Sequence, residues 1–126
     1  MSSTLRVTNV SDTTGGTSTN LMSGLAKAWW IWTPGGTAAL DKTFNVSSLT
    51  DNGVGIFDFD FATSFSDTDY TPSGFLQGQS TGDSVVFCNR STDTWTASTL
   101  TVICIRGDNN FEDSTKGAGT CNGDLA

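Results

Sequence analysis

The residues best placed to do chemistry in this sequence are two aspartates, Asp58 and Asp60, in the alternating stretch IFDFDF. On an extended strand they lie on one face, with their carboxylates roughly 7 Å apart. A glycosidase could use two carboxylates at that spacing as acid and base. Nothing else in the sequence marks a cleft, however, and the opposite face of the strand carries three phenylalanines. We therefore interpret the pair as the solvated face of a half-buried strand.

The sequence contains no histidine, the commonest general base and metal ligand. A Ser/His/Asp or Cys/His nucleophile system therefore cannot form. The stretch DNNFED offers Asp108, Asn109, Glu112 and Asp113 as oxygen ligands for calcium, but it lacks the fixed spacing and the glycine of an EF-hand loop. From these residues we expect neither a catalytic site nor a metal site.

The cysteines, Cys88, Cys104 and Cys121, are odd in number and show no C-x-x-C spacing, and no histidine completes a zinc site. We predict free thiols, in a protein made in a reducing compartment. Cys88 and Cys104 belong to the strand-like stretches SVVFC and LTVICI. A disulfide between them stays open as an alternative if those two strands pair.

The elements that must position these residues are strands. Of the 126 residues, 36% are hydrophobic and only 15% are charged, and the abundance of Ser, Thr, Gly, Asn and Asp suits many strands joined by turns. The formal net charge of −7 disfavours nucleic acid and anionic membrane surfaces as partners. No apolar run approaches the ~20 residues of a membrane-spanning helix, and the first residues do not resemble a signal peptide, so we expect no membrane insertion.

Turn signals such as PGG at 34–36 and DNG at 51–53 separate roughly six or seven short strands, with no helical period. The economical architecture is all-β, an antiparallel β-sandwich of jelly-roll-like type. We predict an N-terminal arm over residues 1–20, the sandwich over 21–107, and a polar C-terminal tail over 108–126, where large apolar side chains are few.

Two strands are apolar on both faces. In KAWWIWT, at 27–33, Ala28, Trp30 and Trp32 alternate with Trp29 and Ile31, so apolar side chains point both ways; residues 98–106 have the same character. A sandwich of this size supplies one core, so we predict that the second faces form a subunit interface, with two-sided burial and an aromatic ligand platform as alternatives. The predicted interface residues are Trp29, Ile31, Ile103 and Ile105. The predicted core residues are Trp30, Trp32, Phe44, Val46, Phe57, Phe59, Phe61, Leu100 and Val102.

The segment AKAWWIWTPGGTAALDKTFNVSSLTDNGVGIFDFDFATSFSDTDY resembles a module of bacteriophage tail-fibre-like and virion structural proteins. Its most specific pieces are FNVSSLTDNGVG, at 44–55, and KAW, at 27–29. The opening STLRVTNVSDTTGG is similar to the short leader that often precedes the module. The resemblance covers residues 4 to 106 approximately. Trp30 and Ile31 depart from it, since the module usually has a smaller apolar and a polar residue there.

The resemblance implies a β-sandwich in a homotrimeric virion component that is made in the host cytoplasm and has no enzymatic activity or cofactor. It also implies that the leader attaches or trimerises the chain, for which Leu5, Val7 and Val10 are the predicted contacts. The expected partners are further copies of the chain, other tail or capsid proteins, and a host-surface glycan. We therefore expect a short fibre or fibre tip. Two alternatives stay open: a capsid decoration (cement) protein, and a carbohydrate-binding module with Trp29 and Trp95 as sugar platforms.

Overall fold

The computed structural model describes residues 9–11, 18–20, 25–79 and 85–126. Within these ranges the chain forms ten strands and no helix, and hence no helix that could cross a membrane. The strands are β1 (Asn9–Ser11), β2 (Ser18–Asn20), β3 (Ala26–Thr33), β4 (Ala39–Phe44), β5 (Val46–Asp51), β6 (Ile56–Phe61), β7 (Thr71–Gln77), β8 (Val85–Cys88), β9 (Thr99–Arg106) and β10 (Lys116–Asn122).

Eight of these strands form two antiparallel sheets of four strands each. Sheet I has the order β4-β3-β10-β7, and sheet II has the order β5-β6-β9-β8. The predicted all-β class and antiparallel sandwich are therefore confirmed. β1 and β2 pair with each other in a separate two-stranded sheet. Of the predicted attachment contacts, Val10 lies in β1, whereas Leu5 and Val7 lie outside the described residues.

The core lies between the two sheets, where the tryptophans of β3 pack on the phenylalanines of β6. The ring centroids of Trp30 and Phe59 are 4.7 Å apart, and those of Trp32 and Phe59 are 5.1 Å apart. Aromatic pairs at these distances add to the stabilisation from buried apolar area. The predicted core residues that are buried are Trp30, Trp32, Val46, Phe57, Phe59, Phe61, Leu100 and Val102. The same core contains Phe65, Tyr70, Leu76, Cys104 and Cys121, which the sequence pattern did not single out.

Phe44 is exposed, so its assignment to the core is wrong. It lies opposite Trp29 in the pairing of β4 with β3, on the outward face of sheet I. The cause is Asn45, which lies between β4 and β5 and has a φ of 57°. The Asn45 side chain forms two hydrogen bonds with the backbone of Thr63. Oδ1 accepts from the Thr63 amide at 2.7 Å, and Nδ2 donates to the Thr63 carbonyl at 3.0 Å. The chain changes sheet at Asn45, and Phe44 and Val46 no longer share a face.

The predicted polar tail is wrong, because residues 116–122 form β10, an inner strand of sheet I that pairs with β3 and β7. The sequence KGAGTC does not show the apolar alternation of a half-buried strand, because two of its inward positions are Gly117 and Gly119. The indoles of Trp32 and Trp30 lie against these glycines, where an added Cβ would overlap their rings. The large side chains of β3 fill the space beside β10, and the sandwich extends past its predicted boundary.

Ile103 and Ile105 lie on β9 of sheet II, whereas Trp29 and Ile31 lie on β3 of sheet I. On β9, Leu100, Val102 and Cys104 belong to the core, so the alternating isoleucines point away from it. The two predicted pairs therefore lie on opposite sides of the sandwich and cannot form one interface. Ile103 has no exposed surface, so its assignment to a subunit interface is wrong, and Ile105 is half-buried.

The chain itself covers this part of sheet II. After β9 the chain turns back, so that the Glu112 amide donates to the Cys104 carbonyl at 3.1 Å and Phe111 forms a bridge with Ile105. Arg90 follows β8, on the other side of β9, and its guanidinium carbon lies 5.0 Å from the centroid of the Phe111 ring. Arg90 and Phe111 thus meet on the outward face of β9, the face to which Ile103 and Ile105 point.

Candidate functional site

The outward face of sheet I is apolar across all four strands. Trp29 lies opposite Phe44, and Ile31 lies opposite Ala118, which pairs in turn with Phe75. The exposed fractions are 39% for Trp29, 51% for Phe44 and 76% for Phe75. Since an aromatic side chain buries roughly 150–250 Å² when covered, these three leave several hundred Å² of apolar area in water, enough to mark an interaction site. We call these five residues the apolar face.

Polar side chains border the apolar face. Lys42 lies opposite Ile31 in the register of β4 with β3, and Lys116 Nζ lies 3.7 Å from the Asp41 carboxylate. A shallow groove of about 360 Å³ runs beside Ile31 and Lys116. An apolar centre with a charged rim is the usual anatomy of a protein interface. Of the predicted interface residues, the structure therefore brings Trp29 and Ile31 together, and it adds Phe44, Phe75 and Ala118.

The outward face of sheet II is polar where it carries the two aspartates. Asp60 accepts hydrogen bonds from the hydroxyls of Ser48, at 2.8 Å, and Thr99, at 2.7 Å. Asp58 accepts one from the hydroxyl of Thr101. These donors come from β5 and β9, the strands on either side of β6. The carboxylates thus act as cross-strand acceptors that satisfy the polar groups of this face.

The carboxylates of the acidic stretch 108–113 are used in contacts within the chain, and both Asp108 and Glu112 lie beside the Arg106 guanidinium. Asp108 forms an ion pair with Arg106 at 3.2 Å, and hydrogen bonds from Asn110 hold its pKa below the usual value. Asp113 instead accepts from the Gly55 amide at 2.7 Å, which anchors this segment to the turn before β6. In the part of the chain that the structure describes, no three metal-ligating side chains come together.

All three cysteines are free thiols, as predicted. In the pairing of β8 with β9, Cys88 lies opposite Ile103, and Phe87 lies opposite Cys104. Side chains at successive register positions point to opposite faces of a sheet, so the alternative disulfide between Cys88 and Cys104 does not form. Burial raises the pKa of Cys104 and Cys121 to about 12, and it also raises the pKa of Cys88. All three thiols are therefore protonated at neutral pH, which makes them poor nucleophiles.

A second concave surface lies at one edge of the sandwich. This edge cleft has a volume of about 300 Å³ and opens between Pro72 of β7, Cys88 of β8 and the Trp95 side chain. Trp95 is 40% exposed. Its ring leans on Tyr70 with centroids 5.6 Å apart, and its Nε1 donates to the Thr68 carbonyl at 3.2 Å. The sequence indicated Trp95 as an exposed aromatic residue. The cleft around it could not be predicted, because it is formed by the pairing of strands that are distant in the sequence.

The motif FNVSSLTDNGVG supplies bends of the backbone. Asn45 turns the chain from sheet I to sheet II, and Asp51 Oδ1 accepts from the Gly53 amide at 2.9 Å to close the turn after β5. Gly53 and Gly55 have positive φ values of 120° and 68°, and a Cβ at Gly55 would overlap the Cys104 carbonyl. Glycine adopts such conformations at little cost because it has no Cβ. The motif therefore mainly shapes the backbone, and its first residue, Phe44, also belongs to the apolar face.

Comparison with known proteins adds no further assignment. No protein-family model matches the chain, and neither a curated protein nor a solved structure matches it. The apolar face and the edge cleft are thus the two surfaces from which a function can be argued.

Proposed function

We propose that this chain is a non-enzymatic structural protein of a bacteriophage particle, a short trimeric fibre or fibre tip with jelly-roll-like connectivity. The observation that carries the proposal is the apolar face of sheet I. The resemblance of KAW and FNVSSLTDNGVG to phage virion modules supports the phage context and the number three. In this proposal the apolar face of each copy packs on its neighbour.

The energetics favour a protein partner for this face. Covering several hundred Å² at ~25 cal/mol per Å² stabilises an assembly by several kcal/mol per copy before the cost of association. Symmetric assemblies of identical chains are the commonest way for such a face to be covered. Aromatic side chains are enriched at the centres of interfaces and lysines are depleted there, which matches the position of Lys42 and Lys116 at the rim.

The particle supplies the remaining contacts in this proposal. The leader, through Leu5, Val7 and Val10, attaches the trimer to a tail or capsid protein, and the sandwich is displayed outward, where it reaches the host surface. The net charge of −7 suits a displayed protein, because it keeps the assembly soluble and away from the nucleic acid of the particle.

Light scattering on the purified chain with Trp29→Asp tests the self-association. We expect the unmodified protein to have the mass of three 13.3 kDa chains at micromolar concentration, and the variant to be a monomer, since an unpaired charge buried in an interface costs several kcal/mol. Val86→Asp is the matched control, because Val86 is 52% exposed on β8 of the other sheet. A monomeric unmodified protein, or a trimeric Trp29→Asp variant, would contradict the proposal.

The position in the particle is tested separately. A low-resolution map of intact particles with labelled protein should show the label on the tail. Label spread over the capsid surface would indicate a capsid decoration protein instead of a fibre. It would not contradict assembly through the apolar face.

A further inference from the structure

The edge cleft forms where β8 stops pairing before β9 does. β8 pairs with β9 only from Ile103 to Arg106, so the stretch from Leu100 to Val102 has no β8 partner. The segment after β8 returns to this stretch instead, and Trp95 forms a bridge with Leu100. A gap therefore remains between the β8 side of sheet II and the start of β7, and the Trp95 indole forms one wall of it.

The lining of the cleft combines apolar and neutral polar residues. Phe87, Leu100 and Val102 are among the apolar ones, and Thr71 and Asn89 are among the polar ones. Pockets with this mixture, predominantly apolar and with a few placed hydrogen-bonding groups, are typical of small-molecule sites, and about 300 Å³ is at the small end of their range. The space suits one ring-sized group.

No side chain that is charged at neutral pH lines the cleft. Burial raises the pKa of Tyr70 and of Cys88, so both are protonated. Placing a charged ligand in such a lining would leave its charge unpaired, which is costly. The overall negative charge of the protein disfavours anionic ligands in addition. The cleft therefore selects for a neutral ligand.

Asn89 is held in one orientation. Its Nδ2 donates to the Thr101 carbonyl at 2.7 Å, in the place where a β8 amide would otherwise pair with β9. Within the described residues, its Oδ1 accepts no hydrogen bond, so this oxygen is available to a ligand hydroxyl. A purely aliphatic or aromatic group in the cleft would leave that acceptor without a partner, at a cost.

We infer that the edge cleft binds a single neutral pyranose ring of a glycan, with the C–H face of the sugar on the Trp95 indole and its hydroxyls toward Asn89. The weakly positive C–H groups of a pyranose are attracted to the negative face of an aromatic ring, and the hydroxyls supply the donors that Asn89 lacks. This site is separate from the apolar face and does not depend on the assembly of three copies.

The test is a titration of the full chain with the neutral methyl pyranosides of glucose, galactose, mannose and N-acetylglucosamine, followed by tryptophan fluorescence and by NMR saturation transfer. We expect at least one of these sugars to bind with Kd on the order of 1 mM. Trp95→Ala should weaken that binding at least about tenfold. Trp29→Ala is the control, since Trp29 is equally exposed, at 39% against 40%, and should lose assembly while keeping the sugar.

Two results would overturn the inference: no response to any of the four sugars, or a response that Trp95→Ala leaves unchanged. Because assembly is measured by light scattering and sugar binding by titration, failure of either proposal leaves the other standing.

Discussion

The two outward faces of the sandwich are built differently. On sheet II, hydroxyls of β5 and β9 hold the carboxylates of β6, and Arg90 and Phe111 meet over β9, where Ile103 is buried. On sheet I, the aromatic side chains of the apolar face stay exposed in the described part of the chain. Among the described residues, loops of the chain thus cover apolar side chains on sheet II and not on sheet I. In our proposal a neighbouring copy covers the apolar face of sheet I.

We expect the largest loss of stability from a substitution in the core, because the core supports both sheets. Phe59→Ala removes the ring that contacts both Trp30 and Trp32, and we expect it to lower the free energy of unfolding by about 3–5 kcal/mol. Urea unfolding followed by tryptophan fluorescence measures this loss. Val54→Ala, at an exposed position before β6, is the control and should change stability by less than about 0.5 kcal/mol. Equal losses in the two variants would contradict the assignment of the core.

A smaller effect separates the two faces. Phe111→Ala removes the cover over β9 and its contact with Arg90, so we expect a loss of about 1–2 kcal/mol that does not depend on protein concentration. Phe75→Ala removes a ring that is 76% exposed, and its effect should appear only in association.

Unfolding measured at two protein concentrations distinguishes these outcomes. The unmodified protein should be more stable at the higher protein concentration, because assembly stabilises the folded chain. For Phe75→Ala, this difference in stability between the two concentrations should be smaller. If Phe111→Ala costs nothing, or if Phe75→Ala destabilises the single chain, the two faces are not as different as we describe.

The smallest expected effect is a pH dependence of stability that comes from the ion pair of Arg90 with Asp93 on sheet II. Asp93 accepts hydrogen bonds from Arg90, at 2.7 Å and 3.0 Å, and these bonds hold the pKa of Asp93 below its usual value. A lowered pKa in the folded state stabilises the protein above the ordinary Asp pKa of about 3.9, and this contribution is lost as the pH falls below it. The melting temperature should therefore fall less steeply for Asp93→Asn than for the unmodified protein between about pH 5 and about pH 2. Identical slopes would show that the ion pair does not stabilise the cover.

Much of the fold could be predicted from local pattern. The alternation in IFDFDF identified the core side of β6, and the alternation in KAWWIWT placed Trp30 and Trp32 inward and Trp29 outward. These predictions succeed because the two-residue period of a strand assigns each side chain to a face without knowledge of the strand's neighbours.

The failures share a cause, which is that they depend on contacts between distant parts of the chain. Phe44 changes face because Asn45 pairs with Thr63 and bends the backbone, and no period in the sequence reports such a bend. Ile103 points away from the core and is nevertheless buried, on the face of β9 where Arg90 and Phe111 meet from two separate segments. β10 carries glycines at inward positions because the indoles of β3 occupy the space, so its own residues show no apolar pattern.

The candidate site was partly predictable for the same reason. Trp29 and Ile31 could be placed on an outward face from their own strand, whereas Phe75 and Ala118 join them only through the register of β10 with β3 and β7. The edge cleft depends on where β8 ends relative to β9, a property of pairing that a single strand does not contain.

The position of β10 also has a consequence for synthesis. Gly119 pairs with Trp30, and at ~5–20 residues per second the ribosome adds the intervening residues over roughly 5–20 s. During that time the hairpin of β5 and β6 can form from local contacts, while the tryptophans of β3 have no glycine strand to lie against. Pairing over such a sequence separation is intrinsically slow. Nascent chains of this protein therefore expose their most apolar strand for seconds, and a chaperone that shields β3 should raise the yield of folded protein.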